Sequence, residues 1–321
     1  MNGNWQPTAT RAALALRAQL LKRIRQFFEE RDVLEVETPM LSRAAATDLH
    51  LHSIPAAVNK TPAWLHTSPE YPMKRLLAAG YGDIYQVCKV FRDGESGRYH
   101  NPEFTLVEWY RHGFDHHRLM EEVGQLLQTL LGDKLGLVPP QTISYEQAFV
   151  LYAGFNPHSV SRMSLEACAA SHDISYHALN DSQLMDLIGS HIVYPRLGKG
   201  GLLFLYDFPV SQAALARIRP GSDSAPAVAE RFEVFLNGME LANGFYELTD
   251  AAEQRQRFEA DNRQRQHASL PMLPLDENLL AAMEAGLPDC SGVALGFDRV
   301  VMLAAGVDNI QDVLAFPIDR A

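Results

Sequence analysis

A chain of 321 residues with 47% hydrophobic content is long enough to bury one large core or two smaller ones. Its formal net charge of −11 argues against an extended basic surface for nucleic acid, and Cys88, Cys168 and Cys290 are odd in number and widely spaced, so neither a disulfide framework nor a cysteine-rich zinc site is expected. The opening M-N-G-N-W-Q-P-T has no cationic start followed by an apolar run, and no segment has the length to span a bilayer, so a cytoplasmic protein without a membrane partner is expected.

From the N-terminus, Thr10 to Arg31 reads as an amphipathic helix with Leu16, Leu20, Ile24, Phe27 and Phe28 on one side, followed by V-L-E-V-E-T-P ending at Pro39. Ala63 to His66 has strand character. The run T-S-P-E-Y-P-M-K-R-L-L-A-A-G opens a helix, with capping-box spacing between Thr67 and Glu70, Pro69 near the first turn and Gly80 at the far end. A strand from Asp83 to Arg92 leads into V-F-R-D-G-E-S-G-R-Y-H-N-P-E-F-T-L-V-E-W-Y, Val90 to Tyr110. Arg92 and Arg98 offer cations for phosphate oxygens, Gly94 and Gly97 allow a tight loop, and His100 and Asn101 add polar edges. Period two then places Phe104, Leu106, Glu108 and Tyr110 on one face of a strand. That face combines an aromatic platform for a purine with an anionic, hydroxylated end for an ammonium group.

Further on, His117 to Leu131 reads as a helix stopping at Gly132, and His112, His116 and His117 lack a third ligand set, so they are expected to be solvated surface side chains rather than metal ligands. Helices are expected over Ser144 to Phe155, Ser164 to Ser171 and Asp181 to His191, and a strand over Leu202 to Asp207. In R-F-E-V-F-L-N-G-M-E-L-A-N-G-F-Y-E-L, Arg231 to Leu248, Asn237-Gly238 between apolar runs signals a tight hairpin. Counting back from that turn sets Phe235 opposite Glu240 and Glu233 opposite Ala242, with both carboxylates on one side, where a magnesium ion would relieve their repulsion. Asn243 and Glu247 have the other parity and reach that side only if the strand bulges, which points to Gly244. Strands and helices do not alternate regularly, so the fold class is α+β, a mostly antiparallel sheet flanked by helices. With no repeat or long linker, residues 1–321 are expected to form one domain.

The Val90 to Tyr110 run resembles the second signature motif of the class II aminoacyl-tRNA synthetases, in the R-x-H-N-P-E-F-T form of lysyl-tRNA synthetase. G-V-A-L-G-F-D-R, Gly292 to Arg299, resembles the third motif, and the first helix with V-L-E-V-E-T-P resembles the first, which builds a dimer interface in that class. The resemblance implies the class II catalytic fold, ATP as substrate, magnesium and a homodimer. It also implies roles: Arg92 on the α-phosphate and substrate carboxylate, His100, Asn101 and Phe104 on adenine, Arg299 on the γ-phosphate, and Glu233 and Glu240 on magnesium, with Glu240 thereby part of the ATP site. Glu108, Tyr110 and Glu247 would receive the side-chain ammonium of a lysine-like substrate, Glu70 its other amino group, and Asn243 would lie near its carboxylate.

Two departures refine this expectation. Where the family carries F-R-x-E, this chain has Gly94, so either the adjacent Glu95 swings in or one contact is missing. The motif 1 helix opens at Thr10, too early for the anticodon-binding barrel that precedes it in lysyl-tRNA synthetases, so no such domain is expected. This arrangement resembles the lysyl-tRNA synthetase paralogues that modify translation elongation factor P. Ser68 in place of the family's alanine, and Ala294 in place of a glycine, fit that branch. The implied reaction is ATP-dependent adenylation of (R)-β-lysine and transfer to a lysine ε-amine of elongation factor P, with tRNA not expected as acceptor. The alternative is a stand-alone lysine-activating enzyme with a tRNA or other acceptor. A non-catalytic regulatory subunit would have shed the phosphate-binding arginines, and both Arg92 and Arg299 are present.

Overall fold

The computed structural model describes residues 5–135, 138–177, 179–223 and 225–321; positions 1–4, where the N-terminal reading above begins, lie outside these. Helix α1 (Arg11–Glu29) starts where the Thr10 hydroxyl accepts a hydrogen bond from the Ala13 backbone N–H at 3.1 Å. Strands β1 (Leu34–Glu35), β2 (Leu41–Ser42), β3 (Pro55–Val58) and β4 (Thr61–Leu65) precede helix α2 (Glu70–Ala78) and the pair β5 (Ile84–Phe91) and β6 (Glu103–His112). Next come α3 (His116–Leu131), β7 (Gln141–Ser144), α4 (Tyr145–Ala153), α5 (Arg162–Ser171), α6 (Asp181–Ile188), β8 (Leu203–Pro209) and β9 (Ile218–Arg219). The hairpin β10 (Val228–Leu236) and β11 (Met239–Tyr246) follows, then α7 (Ala251–His267), α8 (Glu277–Gly286), β12 (Cys290–Gly296) and α9 (Phe297–Ala305).

The described residues divide into two compact units. One comprises the chain up to Phe114 with Gln125–Lys134 and Thr249–Ala321. Its strands run in the order β1, β5, β6, β12, with β1 parallel to β5 and the other pairs antiparallel, beside a small antiparallel sheet of β2, β4 and β3. Helix α1 covers one face of the larger set. Leu20, Ile24, Phe27 and Phe28 are buried as their spacing predicts, with Leu16 half-buried, and the Phe28 ring stacks on Tyr85 at 4.2 Å and meets the edge of Trp109 at 5.3 Å. Tyr85 and Trp109 are register partners. The residues that alternate with them therefore occupy the opposite face, and that is the face carrying Glu108.

Helix α2 corrects one expectation. Thr67 does not cap it; the residue before Glu70 is Pro69, which offers no side-chain cap, and it is the Ser68 hydroxyl that accepts from the Glu70 N–H at 3.0 Å. The helix start is thus tied to the residue that also contacts Glu108.

The other unit comprises Asp115–Gly124 and Leu135–Leu248. Its strands run β11, β10, β8, β7, with β9 also on β10; β7 and β8 are parallel and the rest antiparallel. The helices α4 to α6 pack around Tyr145, Phe149, Leu184, Ile188 and Phe208. Helix α4 begins with a reciprocal capping box between Ser144 and Gln147. Helix α6 stops at Ile188 rather than His191, and the backbone widens into a π-helical turn over Gly189–Val193. His116 is a second correction: it is 2% exposed, its ring tilted against that of His117 at 4.1 Å and 3.6 Å from Asp207, because the first turn of α3 faces inward onto β8.

Candidate active site

The β6 face forms as its alternation dictates. Phe104, Leu106, Glu108 and Tyr110 lie opposite Val90, Cys88, Gln86 and Ile84 on β5, while Leu106, Glu108 and Tyr110 lie opposite Gly296, Ala294 and Gly292 on β12. The β12 side contributes two glycines and one methyl group, so its own side chains on this face are the smallest available.

One end of this face is acidic. Glu108 is 2% exposed, and both carboxylate oxygens are engaged: Ser68 Oγ donates to Oε2 at 2.7 Å and Tyr110 OH donates to Oε1 at 2.8 Å. Beside it, burial first and the Glu108 charge second push the Cys88 thiol up to about 12. Glu70 stands at the start of α2, its Oε1 accepting from the buried ammonium of Lys74 at 2.7 Å.

The other end is cationic. The Arg92 guanidinium lies 5.0 Å from the centre of the Phe104 ring, and its hydrogen bonds among the described residues are long, both at 3.4 Å, to the Thr67 carbonyl and the Glu95 carboxylate. Glu95, the residue after Gly94, thus contacts the arginine. Gly94, at φ +77, makes the turn that brings it there. Arg299 donates from Nη2 to His100 Nε2 at 2.7 Å and from Nε to the Tyr99 carbonyl at 3.5 Å, so the third motif's arginine and the loop histidine touch. Arg98 is bound to the Asp308 carboxylate and, at 2.8 Å, to the Asp308 carbonyl, an exposed pair at the edge of the loop.

In the other unit, Asn237 (φ +54) and Gly238 (φ +78) make the two-residue turn that their sequence predicts. Phe235 pairs with Glu240 as expected. The strand then bulges at Leu241, three residues earlier than Gly244, so that Val234 pairs with Ala242 and Glu233 with Asn243 rather than with Ala242. The bulge switches the parity of β11 and puts Asn243 on the side of Glu233 and Glu240. Glu233 is buried and bonded to Arg231 at 2.5 Å; burial pushes its carboxyl up to about 7, with the charge of Glu240 adding to the rise and Arg231 opposing it. Asn243 Oδ1 is buried without a hydrogen-bond partner among the described residues. Glu247 is 1% exposed and follows on the same strand run, bridged to Ala216.

A family profile described as tRNA synthetases class II (D, K and N) matches residues 5–320. The chain belongs to that family. Its catalytic fold is accordingly the class II one. Proteins named elongation factor P–(R)-β-lysine ligase from Edwardsiella ictaluri (strain 93-146) and Proteus mirabilis (strain HI4320) are each 51% identical to it over 327 residues, covering 99% of this chain and 98% of theirs. One of the same name from Salmonella typhi is 50% identical over 326 residues, with the same coverage.

Against this class II framework, Asn101 stands apart from the other expected nucleotide contacts. It is buried, with Nδ2 donating to the Glu103 carbonyl at 2.6 Å and Oδ1 accepting from the Ile318 N–H at 3.1 Å, so its amide braces the loop. Three supporting residues escape a reading of the sequence. Asp298, next to Arg299, accepts from Arg17 at 2.5 Å and from the Thr105 N–H at 2.7 Å, and Arg17 also donates to Thr105 Oγ1 at 2.7 Å. Lys74 and Arg231 are the others, each the counter-charge of an expected site glutamate. Their spacing from Glu70 and Glu233 was the available signal: one helical turn in the first case, two strand residues in the second.

Proposed function

We propose that this chain is an ATP-dependent ligase that activates (R)-β-lysine as an adenylate and transfers it to a lysine ε-amine of translation elongation factor P. The observation that carries the reading is Glu108, a buried carboxylate held by Ser68 and Tyr110 and paired across the sheet with Ala294, on the face whose other end bears Arg92 over Phe104. Both side chains that distinguish the chain from lysyl-tRNA synthetases thus adjoin the acid assigned to the substrate ammonium. The names of relatives at half identity over nearly the full length support the same branch.

In this reading Phe104 and His100 hold the adenine, and Arg92 and Arg299 bind the phosphates. Glu108, Tyr110 and Glu247 take the side-chain ammonium, Glu70 the other amino group, and Asn243 lies near the carboxylate. The substrate carboxylate oxygen attacks the α-phosphorus in line, pyrophosphate leaves, and the two guanidinium groups offset the charge that develops. The acceptor ε-amine then attacks the acyl carbon and AMP departs. No side-chain nucleophile is required.

Magnesium fits the donor set of β10 and β11. Glu233 remains short of positive charge even beside Arg231, Glu240 is on its side of the sheet, and a hard cation bound through two carboxylates and substrate phosphates matches these groups. When bound, the ion would neutralise phosphate charge. The proposal takes the chain as a single catalytic domain acting as a cytoplasmic homodimer; no described helix is long and apolar enough to cross a membrane.

The test incubates the protein with magnesium, ATP and each lysine isomer, together with elongation factor P or tRNA, and weighs the products. A β-lysyl increment on elongation factor P is expected. Mass gained on tRNA alone would replace the acceptor.

A further inference from the structure

We infer that Lys74 is a positioning residue that fixes where Glu70 holds the substrate's amino group, and through it the preference between lysine isomers. The inference rests on the role given to Glu70 above and deepens it.

Lys74 lies one turn after Glu70 on α2. Its side chain is 1% exposed while that of Glu70 is 16% exposed, and Nζ donates to Oε1 at 2.7 Å. A glutamate and lysine so spaced on a helix surface form a weak pair that water continually breaks. Here the ammonium is out of water, so drawing the carboxylate away would take a close counter-charge from a buried ion. The pair is therefore a fixed part of the pocket. Oε1 is occupied by the lysine, and Oε2 is the oxygen available to an incoming donor.

The backbone end of Glu70 is pinned too. Its N–H donates to Ser68 Oγ at 3.0 Å, and the same hydroxyl donates to Glu108 Oε2 at 2.7 Å. One serine thus links the two acids that receive the two ammonium groups in the proposed reaction, and Lys74 removes the remaining freedom of the Glu70 side chain. α-Lysine and β-lysine differ by one carbon in the separation of their amino groups. Two carboxylates held at a fixed separation can distinguish them; a Glu70 free to rotate would follow either.

The experiment compares wild type, Lys74→Met, Lys74→Gln and Glu70→Asp in pyrophosphate exchange with (R)-β-lysine and with α-lysine, and also measures the KM for ATP. Removing the ammonium, or drawing the carboxylate back by one methylene, should lower the β-to-α ratio of kcat/KM by about tenfold or more, with the KM for ATP within about twofold of wild type. A purely structural lysine would raise the ATP and lysine constants together and leave the ratio alone; that result in a folded Lys74→Met overturns the inference. Should Lys74→Met not fold, as judged by circular dichroism, Lys74→Gln and Glu70→Asp give the same readout, the latter at a partly exposed side chain. A wild-type enzyme that activates neither isomer would sink the proposed function itself; clear wild-type preference with an unmoved ratio in the variants would sink only the role of Lys74.

Discussion

Glu108 is the residue on which substrate choice turns, because its charge is buried and its orientation is set from both sides. Glu108→Gln keeps an acceptor for Ser68 or Tyr110 and nearly the same shape, but removes the charge that would offset a desolvated ammonium. We expect pyrophosphate exchange with either lysine isomer to fall about 100-fold in kcat/KM, close to 2.7 kcal/mol, while the KM for ATP stays near wild type. Equal loss in both constants would mean that Glu108 supports the fold rather than the amino acid. The same carboxylate acts on Cys88, whose proton is held more tightly in the folded protein (about 12) than at the ordinary 9.0. The sign follows: this contribution to stability is intact below pH 9.0, where the thiol is protonated in both states, and is lost as pH rises toward 12. At about pH 8 iodoacetamide should label native Cys88 far more slowly than the denatured chain, since the thiolate is the nucleophile. Peptide mass mapping checks this, and labelling of native Cys88 at the denatured rate would contradict the burial that raises it.

At the scale of elements, the alternating face of β6 was legible because a strand reverses its side chains at every residue, and flanking β5 and β12 keep register with it. The Asn-Gly turn was legible for the same local reason. The bulge was legible as a necessity but not in position. Gly244 keeps regular register opposite the fully buried Phe232, and the extra residue falls instead at Leu241, next to an Ala242 that is buried with it. Helix α7 was not legible at all. Its inward positions, Gln254, Phe258, Asn262 and Arg265, are mostly polar, and two of them are satisfied by backbone: Asn262 by both the carbonyl and N–H of Leu273, Arg265 by the carbonyls of Pro271 and Asp48. A hydrophobic period cannot reveal such a helix. Long-range polar ties are hidden equally well, and Arg17 is the one with the clearest consequence. It joins α1 to Thr105 on β6 and Asp298 on α9, the neighbours of Phe104 and Arg299. Arg17→Met would leave the buried Asp298 carboxylate with only the Thr105 N–H, at a cost of about 3 kcal/mol in stability. Denaturant titration should show that loss, and the KM for ATP should rise more than that for lysine, with Arg17→Lys recovering part of both. Wild-type stability and an unchanged KM for ATP would leave the three-way bond without a role.

For the whole molecule, three separated motifs revealed which segments meet, while the fate of individual charges depended on partners that no local pattern shows. Arg98 binds Asp308, 210 residues further on; Arg92, six residues before it, makes long hydrogen bonds to Thr67 and Glu95 and lies over the Phe104 ring. Net charge is the one global property with a direct bearing on the acceptor. Affinity for a polyanion comes largely from cations that displace condensed counterions, and a chain at −11 has little of that drive unless a basic patch is concentrated at one place. Filter binding with tRNA at physiological salt should accordingly show no retention at low-micromolar protein, and β-lysyl transfer to elongation factor P should continue undiminished when tRNA is added in excess. Micromolar retention that collapses steeply as salt is raised would identify a concentrated basic patch, and inhibition of transfer by tRNA would make the nucleic acid a competitor for the acceptor site. Both together would favour the tRNA reading over the protein acceptor, because the same adenylate could then be approached by a 3′ end as readily as by a lysine side chain.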